Sequence, residues 1–453
     1  MRYLGRGPVV SVAVCSPCAQ GVRYKNTMDP AANRLAPLLD RMVDYERLRP
    51  MQREWDLSGV ERLLRRHGAP VPVRPAIQVA GSKGKGTTAA FLEALGTAAG
   101  WRTGSYSSPH LMTLCERIRI AGEPIRVERL EPVLAGLLDF AGDQPPTFFE
   151  AMTVAAVACF AQDQVGLAIY EVGLGGRFDA TTAIDVDAAI VTRIELEHTD
   201  VLGDTIAAIA AEKAAVIRPG GLGLTATTGD ALAVIRAHAE KVAAELLVMG
   251  EDFGVHHVNW ADDGARGLLS LPDGSRQQFF LPDAKAFELP ALALAVATLS
   301  RLYPDLTLPL DPVPRPYLPC RFEVRTEPDG EVLILDGAHT EDSMQAVAAE
   351  VRRRYPGTTP RVLTAWATGK RWQEALSAVH VIADSFVVTE LTGTPGEDPA
   401  TINAWLTEQG AQSEVATDVA SGLRKLREYP GPRLVVGSFY LAGAVRQLLD
   451  SDA

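Results

Sequence analysis

Val79-Ala80-Gly81-Ser82-Lys83-Gly84-Lys85-Gly86-Thr87-Thr88 is the stretch on which the fold turns. The run before it, Pro75-Ala76-Ile77-Gln78-Val79, is apolar and strand-like, and Ala89-Ala90-Phe91-Leu92-Glu93-Ala94-Leu95 after it carries a helical apolar pattern. Strand, glycine loop and helix in that order are the setting of a phosphate-binding loop. Glycines let consecutive backbone N–H groups turn toward an anion, and the positive end of the helix dipole adds to them. Gly81, Ser82, Gly84, Lys85, Gly86, Thr87 and Thr88 are therefore expected around a nucleotide phosphate, with Lys85 against the outer phosphates and a Thr87 or Thr88 hydroxyl available to Mg²⁺. The spacing is not the commonest one: Val79 stands where the first glycine of that loop belongs, and Gly86 follows Lys85.

A chain of 453 residues is too long for one ordinary domain and predicts two or three. With 47% hydrophobic and 22% charged residues it is a globular composition with ample core. A net charge of −12 argues against general nucleic-acid binding, although a basic cleft can exist on an acidic protein. Cys15, Cys18, Cys115, Cys159 and Cys320 form no disulfide framework, which fits a reduced, cytoplasmic setting. Cys15 and Cys18 are spaced as Cys-x-x-Cys, but no βαβ pattern surrounds them. No apolar run approaches the roughly 20 residues of a membrane span. Residues 1–28 read as a disordered leader or a misassigned start upstream of Met28.

Residues 29–70 carry helical spacing, through Leu35, Leu38, Leu39, Met42 and Val43 and then Leu57, Val60, Leu63 and Leu64. Strands are predicted at 77–80, 167–172, 188–194 and 223–226, with helices at 151–162 and 205–217 between them. That alternation predicts a doubly wound, mostly parallel α/β sheet with helices on both faces. Residues 227–280 read as less regular and strand-rich, with turns at Asp262-Asp263-Gly264 and Asp273-Gly274, followed by a helix at 288–301. The proline-dense residues 304–319 are the expected linker. A second, smaller, Rossmann-like α/β unit is predicted from strands at 332–336, 362–367, 385–389 and 434–438. The expected division is 29–303 for the ATP-binding domain and 320–453 for the C-terminal domain.

Four further clusters follow the loop in sequence. Tyr106-Ser107-Ser108-Pro109-His110-Leu111 precedes Glu116-Arg117-Ile118. Glu171 ends an apolar strand ahead of Val172-Gly173-Leu174-Gly175-Gly176-Arg177-Phe178-Asp179, where a carboxylate beyond a strand's carboxyl end can hold Mg²⁺. Glu195-Leu196-Glu197-His198-Thr199-Asp200 lies past the next strand, and Lys213 sits on the helix after that. Each alone has a plain structural explanation: a turn, a capping carboxylate, a loop histidine, a solvated lysine.

Together and in this order they resemble the folylpolyglutamate synthase/dihydrofolate synthase family of the Mur ligase superfamily, over about residues 50–220 and again at 321–343 and 435–448. The order Gly-x-x-Gly-Lys-Gly-Thr is itself that of Mur-type ligases. The resemblance implies ATP, two Mg²⁺ sites with Ser108, Glu171 and His198 as ligands, and a phosphate contact from Lys85. It implies that Lys213 reacts with CO₂ to become a carbamate, turning a cation into an oxygen-bearing anion. From the second domain, Arg321 and Asp336 of Leu335-Asp336-Gly337-Ala338-His339 would close over the nucleotide, with His339 near the transferring phosphate. Gly437-Ser438-Phe439-Tyr440 matches a motif near the amino-acid site. Ser107, Pro109, His110, Arg117 and Phe149, the last within Phe148-Phe149-Glu150-Ala151-Met152-Thr153, match regions tied to the pterin-carrying acid. The implied protein is a monomer acting on small-molecule acid and amino-acid substrates.

Several positions depart from the family pattern. Ser82-Lys83 replaces Thr-Asn in the loop, Glu197 an Asp, Thr182 an Asn, Thr340-Glu341-Asp342 an Asn-Pro, and Gly369-Lys370-Arg371 an Asp-Lys-Asp. Phe287 and Pro290 are expected near adenine, where the family has Gln and Asn. The phosphate machinery is kept while nucleotide-side and amine-side details change. Two enzymatic readings follow: an ATP-dependent amide ligase joining a folate or dihydropteroate acid to L-glutamate, or a relative in a specialised pathway using another acid or amine. A catalytically dead binding protein would not need Lys85, Ser108, Glu171, His198 and Lys213 together, and a plain kinase would not need the second-domain motifs.

Overall fold

The computed structural model describes residues 29–43, 56–67, 73–391 and 394–451. The expectations for residues 1–28 and for Cys15 and Cys18 lie outside them.

Eight strands make the first sheet: β1 (Ala76–Ala80), β2 (Thr103–Tyr106), β3 (Ile118–Ile120), β4 (Glu123–Pro124), β5 (Leu167–Glu171), β6 (Ala188–Val191), β7 (Leu222–Thr225) and β8 (Glu245–Val248). Their order is β4-β3-β2-β5-β1-β6-β7-β8, parallel from β2 to β8, with β3 and β4 added antiparallel at one edge. Every residue of β1, β2, β5, β6 and β7 is buried, as strands covered on both faces must be. Alternate side chains of β1 enter different cores. Ala76 joins the helices Pro30–Leu39, Val127–Ala141 and Phe148–Gln162, while Ile77 and Val79 join the helices Lys85–Ala98 and Leu289–Leu302. The chain leaves β1 toward β2 on one side and later reaches β6 on the other, so a topological switch point lies at the carboxyl ends of β1, β5 and β6. Ligands of open α/β sheets bind in that crevice.

The region 227–280 is more regular than its sequence predicts. It opens with a helix, Gly229–Lys241, whose buried face is Ala231, Ile235 and Ala239, too small an apolar stripe to register as a period. After β8 come β9 (Gly254–Ala261), β10 (Gly264–Ser270) and β11 (Arg276–Pro282), an antiparallel sheet whose two turns fall at the expected places. Gly264, at φ +145°, is obligatory there: a Cβ would lie 2.2 Å from the Leu281 carbonyl oxygen.

Residues 304–319 contain no helix or strand. They are stitched to β11, with Phe280 N–H donating to Leu310 (2.9 Å) and Val313 N–H to Phe280 (2.7 Å), while Leu308, Leu310 and Val313 are buried beside it. The last sheet is β12 (Glu323–Thr326), β13 (Val332–Leu335), β14 (Arg361–Thr364), β15 (Ser385–Val388), β16 (Gln412–Val415) and β17 (Arg433–Val436), in the order β12-β13-β17-β14-β15-β16. Five strands are parallel and β12 runs antiparallel. The edge strands β12 and β16 are half-exposed and polar, so neither announces itself in the sequence. Among the described residues, no helix is long and apolar enough to cross a membrane.

Candidate functional site

Thr192 sits directly behind the glycine loop. A Cβ on Gly81 would stand 1.8 Å from its Oγ1, and Gly81 has φ +138°. The amides of Ser82 and Lys83 both donate to the Arg193 carbonyl (2.8 and 3.3 Å), which pins the loop against the end of β6. Gly84, at φ +89°, begins the helix Lys85–Ala98 without a side-chain cap. The first-turn N–H groups of that helix are thus left to an anion.

Two lysines converge on one carbonyl. Lys85 Nζ donates to Gly81 O at 2.8 Å and Lys213 Nζ at 3.0 Å; Lys213 also pairs with Glu197 Oε1 at 2.9 Å. Lys213 is 1% exposed, and burial, then the Lys85 charge, holds its ammonium below the usual lysine range against the pull of Glu197. Gly176 makes this approach possible: a Cβ there would lie 2.5 Å from the Glu212 carbonyl oxygen and 2.9 Å from Lys213 Cα. Asp179 fixes the same turn, accepting from the amides of Gly173 (2.9 Å), Leu174 (3.1 Å) and Thr181 (3.0 Å).

Glu171 is buried at the end of β5 and accepts from the Ser108 amide at 3.3 Å. Burial raises its carboxyl, with Lys85, Arg321 and the Ser108 amide opposing. A Cβ on Gly86 would meet Arg321 Nη2 at 3.1 Å and both Glu171 oxygens at 3.5 Å, so helix start, carboxylate and guanidinium face one small space. His198 stands apart: no hydrogen bond among the described residues joins its ring to Ser108 or Glu171. It holds φ +46° ahead of the short helix Thr199–Leu202. Burial depresses its imidazole, Glu197 opposes this and Lys370 adds to it.

The C-terminal sheet contributes three groups. Arg321 lies over the Phe439 ring at 4.8 Å, between Cys320 and Phe322, both with left-handed φ (+53° and +51°). Such backbone persists only where its surroundings hold it. Asp336 accepts from the amides of Phe322 and Ala338, each at 2.7 Å, and burial pushes its carboxyl up to about 6. His339 donates from Nδ1 to the Gly337 carbonyl at 2.8 Å, and burial, then Lys83 and Lys370, pushes its imidazole down to about 3.

A cleft between the two sheets is lined by Gly86, Ser107, Ser108, Pro109, His110, Glu171, Arg321 and Phe439, so a minority of the sequence-selected residues share this opening, and Lys85, His198, Lys213, Asp336 and His339 are not among its lining. Two substrate candidates lie behind it rather than in it. Arg117 is 1% exposed, donates from Nε to His110 Nδ1 (2.9 Å) and lies over Phe148 at 4.9 Å. Phe149 packs on Tyr106 at 5.7 Å beneath Gly173. Ser438 is also turned inward, its hydroxyl accepting from the Tyr440 amide at 3.1 Å at the start of the helix Phe439–Ser451. Sequence reading missed Glu93, Arg119 and Tyr317, which line the same cleft: Arg119 lies 3.3 Å from Glu93 and 4.6 Å from the Tyr317 ring centroid. Glu93, a buried charge in the apolar helix Lys85–Ala98, was the available signal. Of the departures, Phe287 packs against the C-terminal core and Pro290 is exposed in the first turn of Leu289–Leu302.

Among the described residues no three His, Cys, Asp or Glu side chains group as a metal site. A hydroxyl and a carboxylate, Ser108 and Glu171, nevertheless suit Mg²⁺, and the burial that lowers the His198 imidazole favours the neutral form a ligand requires.

Residues 79–261 match the Mur ligase middle domain, and residues 320–437 match the Mur ligase, glutamate ligase domain. A "Probable bifunctional folylpolyglutamate synthase/dihydropteroate synthase" of Haloferax volcanii is 33% identical over 420 residues, 88% of this chain and 49% of the relative. The chain thus spans about half the length of that protein. A dihydrofolate synthase/folylpolyglutamate synthase of Bacillus subtilis is 31% identical over 350 residues, 72% of this chain and 79% of the relative. Its Escherichia coli counterpart is 29% identical over 429 residues, 92% and 96%. Among solved structures, a bifunctional folylpolyglutamate synthase/dihydrofolate synthase with Mn, AMPPNP and L-glutamate bound superposes with a TM-score of 0.76 at 28% identity, covering 89% of this chain and 96% of that one. An E. coli protein in complex with DHPP and ADP gives 0.80 at 27%, covering 94% and 98%. The chain belongs to the folylpolyglutamate synthase/dihydrofolate synthase family.

Proposed function

We propose that this chain is an ATP-dependent ligase that joins a carboxylic acid of the folate or dihydropteroate type to L-glutamate through an acyl phosphate. The observation that carries it is the convergence at Gly86 of an uncapped helix start, Glu171 and Arg321, the last contributed by the other sheet. A carboxylate attacking the terminal phosphate of ATP meets anionic repulsion, so phosphate charge has to be neutralised before the reactants can align. Lys85, Arg321 and the open N–H groups supply that charge here. Mg²⁺ held by Ser108, Glu171 and His198 would add Lewis-acid neutralisation of the phosphates when bound. The depressed ammonium of Lys213 favours the neutral amine that carbamate formation requires, and its place beside the loop suits a carbamate serving a second cation. The cleft between the sheets would shield an acyl phosphate from water until the amine arrives. His339, neutral throughout the working pH range, would contact the transferring phosphate without adding charge.

L-glutamate is favoured over an altered amine because the departures are absorbed locally. Arg371 pairs with its own neighbour Glu374 at 2.7 Å, Thr340 caps the helix Glu341–Arg354, and Asp342 faces Arg193 at 3.6 Å. Incubation of purified protein with ATP, Mg²⁺, L-glutamate and dihydropteroate or tetrahydrofolate, read by mass spectrometry, tests the proposal. A glutamylated pterin supports it. ATP binding without product, followed by turnover of another acid or amine, would transfer the assignment to a specialised pathway.

A further inference from the structure

Arg119 and Glu93 form an ion pair in the wall of the cleft, with side chains only 12% and 9% exposed. The pair is imperfect. Arg119 Nε lies 3.3 Å from each Glu93 oxygen, and Nη2 donates to the Gly122 carbonyl. Among the described residues, Arg119 Nη1 makes no hydrogen bond. A carboxylate usually meets a guanidinium edge-on through two parallel N–H donors, whereas Glu93 takes Nε alone. The guanidinium is also held in plane. It lies over the Tyr317 ring at 4.6 Å, and the Tyr317 hydroxyl accepts from Arg446 Nη1 at 3.1 Å. Ser105 is the partner of Arg119 in the pairing of β2 with β3, and it lines the same cleft. It is 3% exposed, and its hydroxyl makes no hydrogen bond among the described residues. Glu93 stands about two turns along the helix Lys85–Ala98 from Gly86, or about 10 Å. The open donors thus sit at one end of the cleft and the phosphate-facing groups at the other.

A buried guanidinium with an unused N–H edge beside an unpartnered hydroxyl is built to receive a carboxylate. Resting on the ligase reading for the identity of the substrate, we propose that Arg119 is a specificity-determining residue that grips the side-chain carboxylate of the incoming L-glutamate through Nη1, with Ser105 beside it. The amino group of that substrate then lies toward the Gly86 end. Glu93 and Tyr317 orient the guanidinium before the substrate arrives, which lowers the ordering cost of binding. An amine carrying an amide in place of the carboxylate leaves Nη1 without its charged partner and is rejected.

Calorimetric titration of L-glutamate into intact protein saturated with Mg²⁺-AMPPNP, and steady-state ligation with dihydropteroate, test the assignment. Dihydropteroate carries only the reacting carboxylate, so any other carboxylate that is read belongs to the amine. Arg119→Met is expected to raise both the Kd and the KM for L-glutamate at least about tenfold, with KM for ATP within about twofold of wild type. Its preference for L-glutamate over L-glutamine should fall at least about tenfold, and Arg119→Lys should recover part of both losses. Arg119→Met strands the buried Glu93, so the double variant Glu93→Gln/Arg119→Met, which keeps neither charge, serves if it fails to fold. An unchanged KM for L-glutamate, an equal rise for ATP, or unchanged discrimination against L-glutamine would overturn the proposal. So would a loss seen only with tetrahydrofolate, which would place that acid's own carboxylate at Arg119. Weaker L-glutamate binding by Arg119→Met, where wild type forms no glutamylated product, would uphold Arg119 and refute the ligase reading, so the two fail separately.

Discussion

Gly176→Ala should disable the protein while leaving it folded. No positive φ is required at Gly176, so alanine's backbone is allowed and the consequence is one of crowding alone. The added methyl would stand 2.5 Å from the Glu212 carbonyl oxygen. Ordinary contact at about 3.5 Å requires the helix Ile206–Ala214 to retreat by about 1 Å. Lys213 rides on that helix, and its hydrogen bonds to Gly81 and Glu197, now 3.0 and 2.9 Å, would lengthen beyond bonding range. Overpacking of this kind costs about 1–3 kcal/mol of stability. A misplacement of about 1 Å at a catalytic group costs about 10²-fold in rate. The assay pairs thermal unfolding with steady-state ligation. Gly104→Ala is the control, since its methyl would crowd Phe160 at 2.7 Å on the strand β2 without touching Lys213. The control should lose comparable stability and retain most of its rate. Gly176→Ala turning over within about threefold of wild type, or falling no further than the control, would refute the role given to this contact.

Lys213→Ala should lower ligation by at least about 10²–10³-fold with circular dichroism unchanged, and full retained activity would reject the carbamate. His339 is held near 3 in the folded chain against an ordinary 6.5, so the unfolded chain binds the extra proton first as pH falls. Its stabilising contribution is complete above about 6.5 and lost toward about 3; after allowance for solvent screening, wild type should lose about 1–2 kcal/mol more than His339→Gln between pH 7 and pH 5, by urea denaturation. Equal losses would contradict the burial argument. Arg371→Ala should change kcat/KM for L-glutamate by less than about twofold, because its exposed guanidinium is already paired with Glu374. A tenfold change would place Arg371 in the amine site after all.

The glycine loop was legible because its glycines fall between an apolar strand and a helix, and Gly81 and Gly84 both adopt the positive φ that glycine favours. Glu171 was legible as a charge at the end of an apolar strand, whereas Lys213 read alone as a solvated helix lysine and stood out only through the order of the motifs. What escaped notice was set by packing rather than pattern. The strands β12 and β16 are polar edges, and the helix Gly229–Lys241 buries mainly alanines. Arg117 and Phe149 carry the chemistry expected of a binding surface, yet the structure uses them to support His110 and Tyr106 from behind. Tyr317 sits in a stretch whose prolines said only that helix and strand would fail, not that its ring would close over Arg119 at the cleft.

The most direct test of the central claim is mass spectrometry of a reaction containing the intact protein, ATP, Mg²⁺, L-glutamate and dihydropteroate or tetrahydrofolate. A product heavier by one glutamyl unit, formed with stoichiometric ADP and phosphate and absent when ATP is omitted, is the predicted result. Tight ATP binding with no glutamyl transfer to either acid would contradict it.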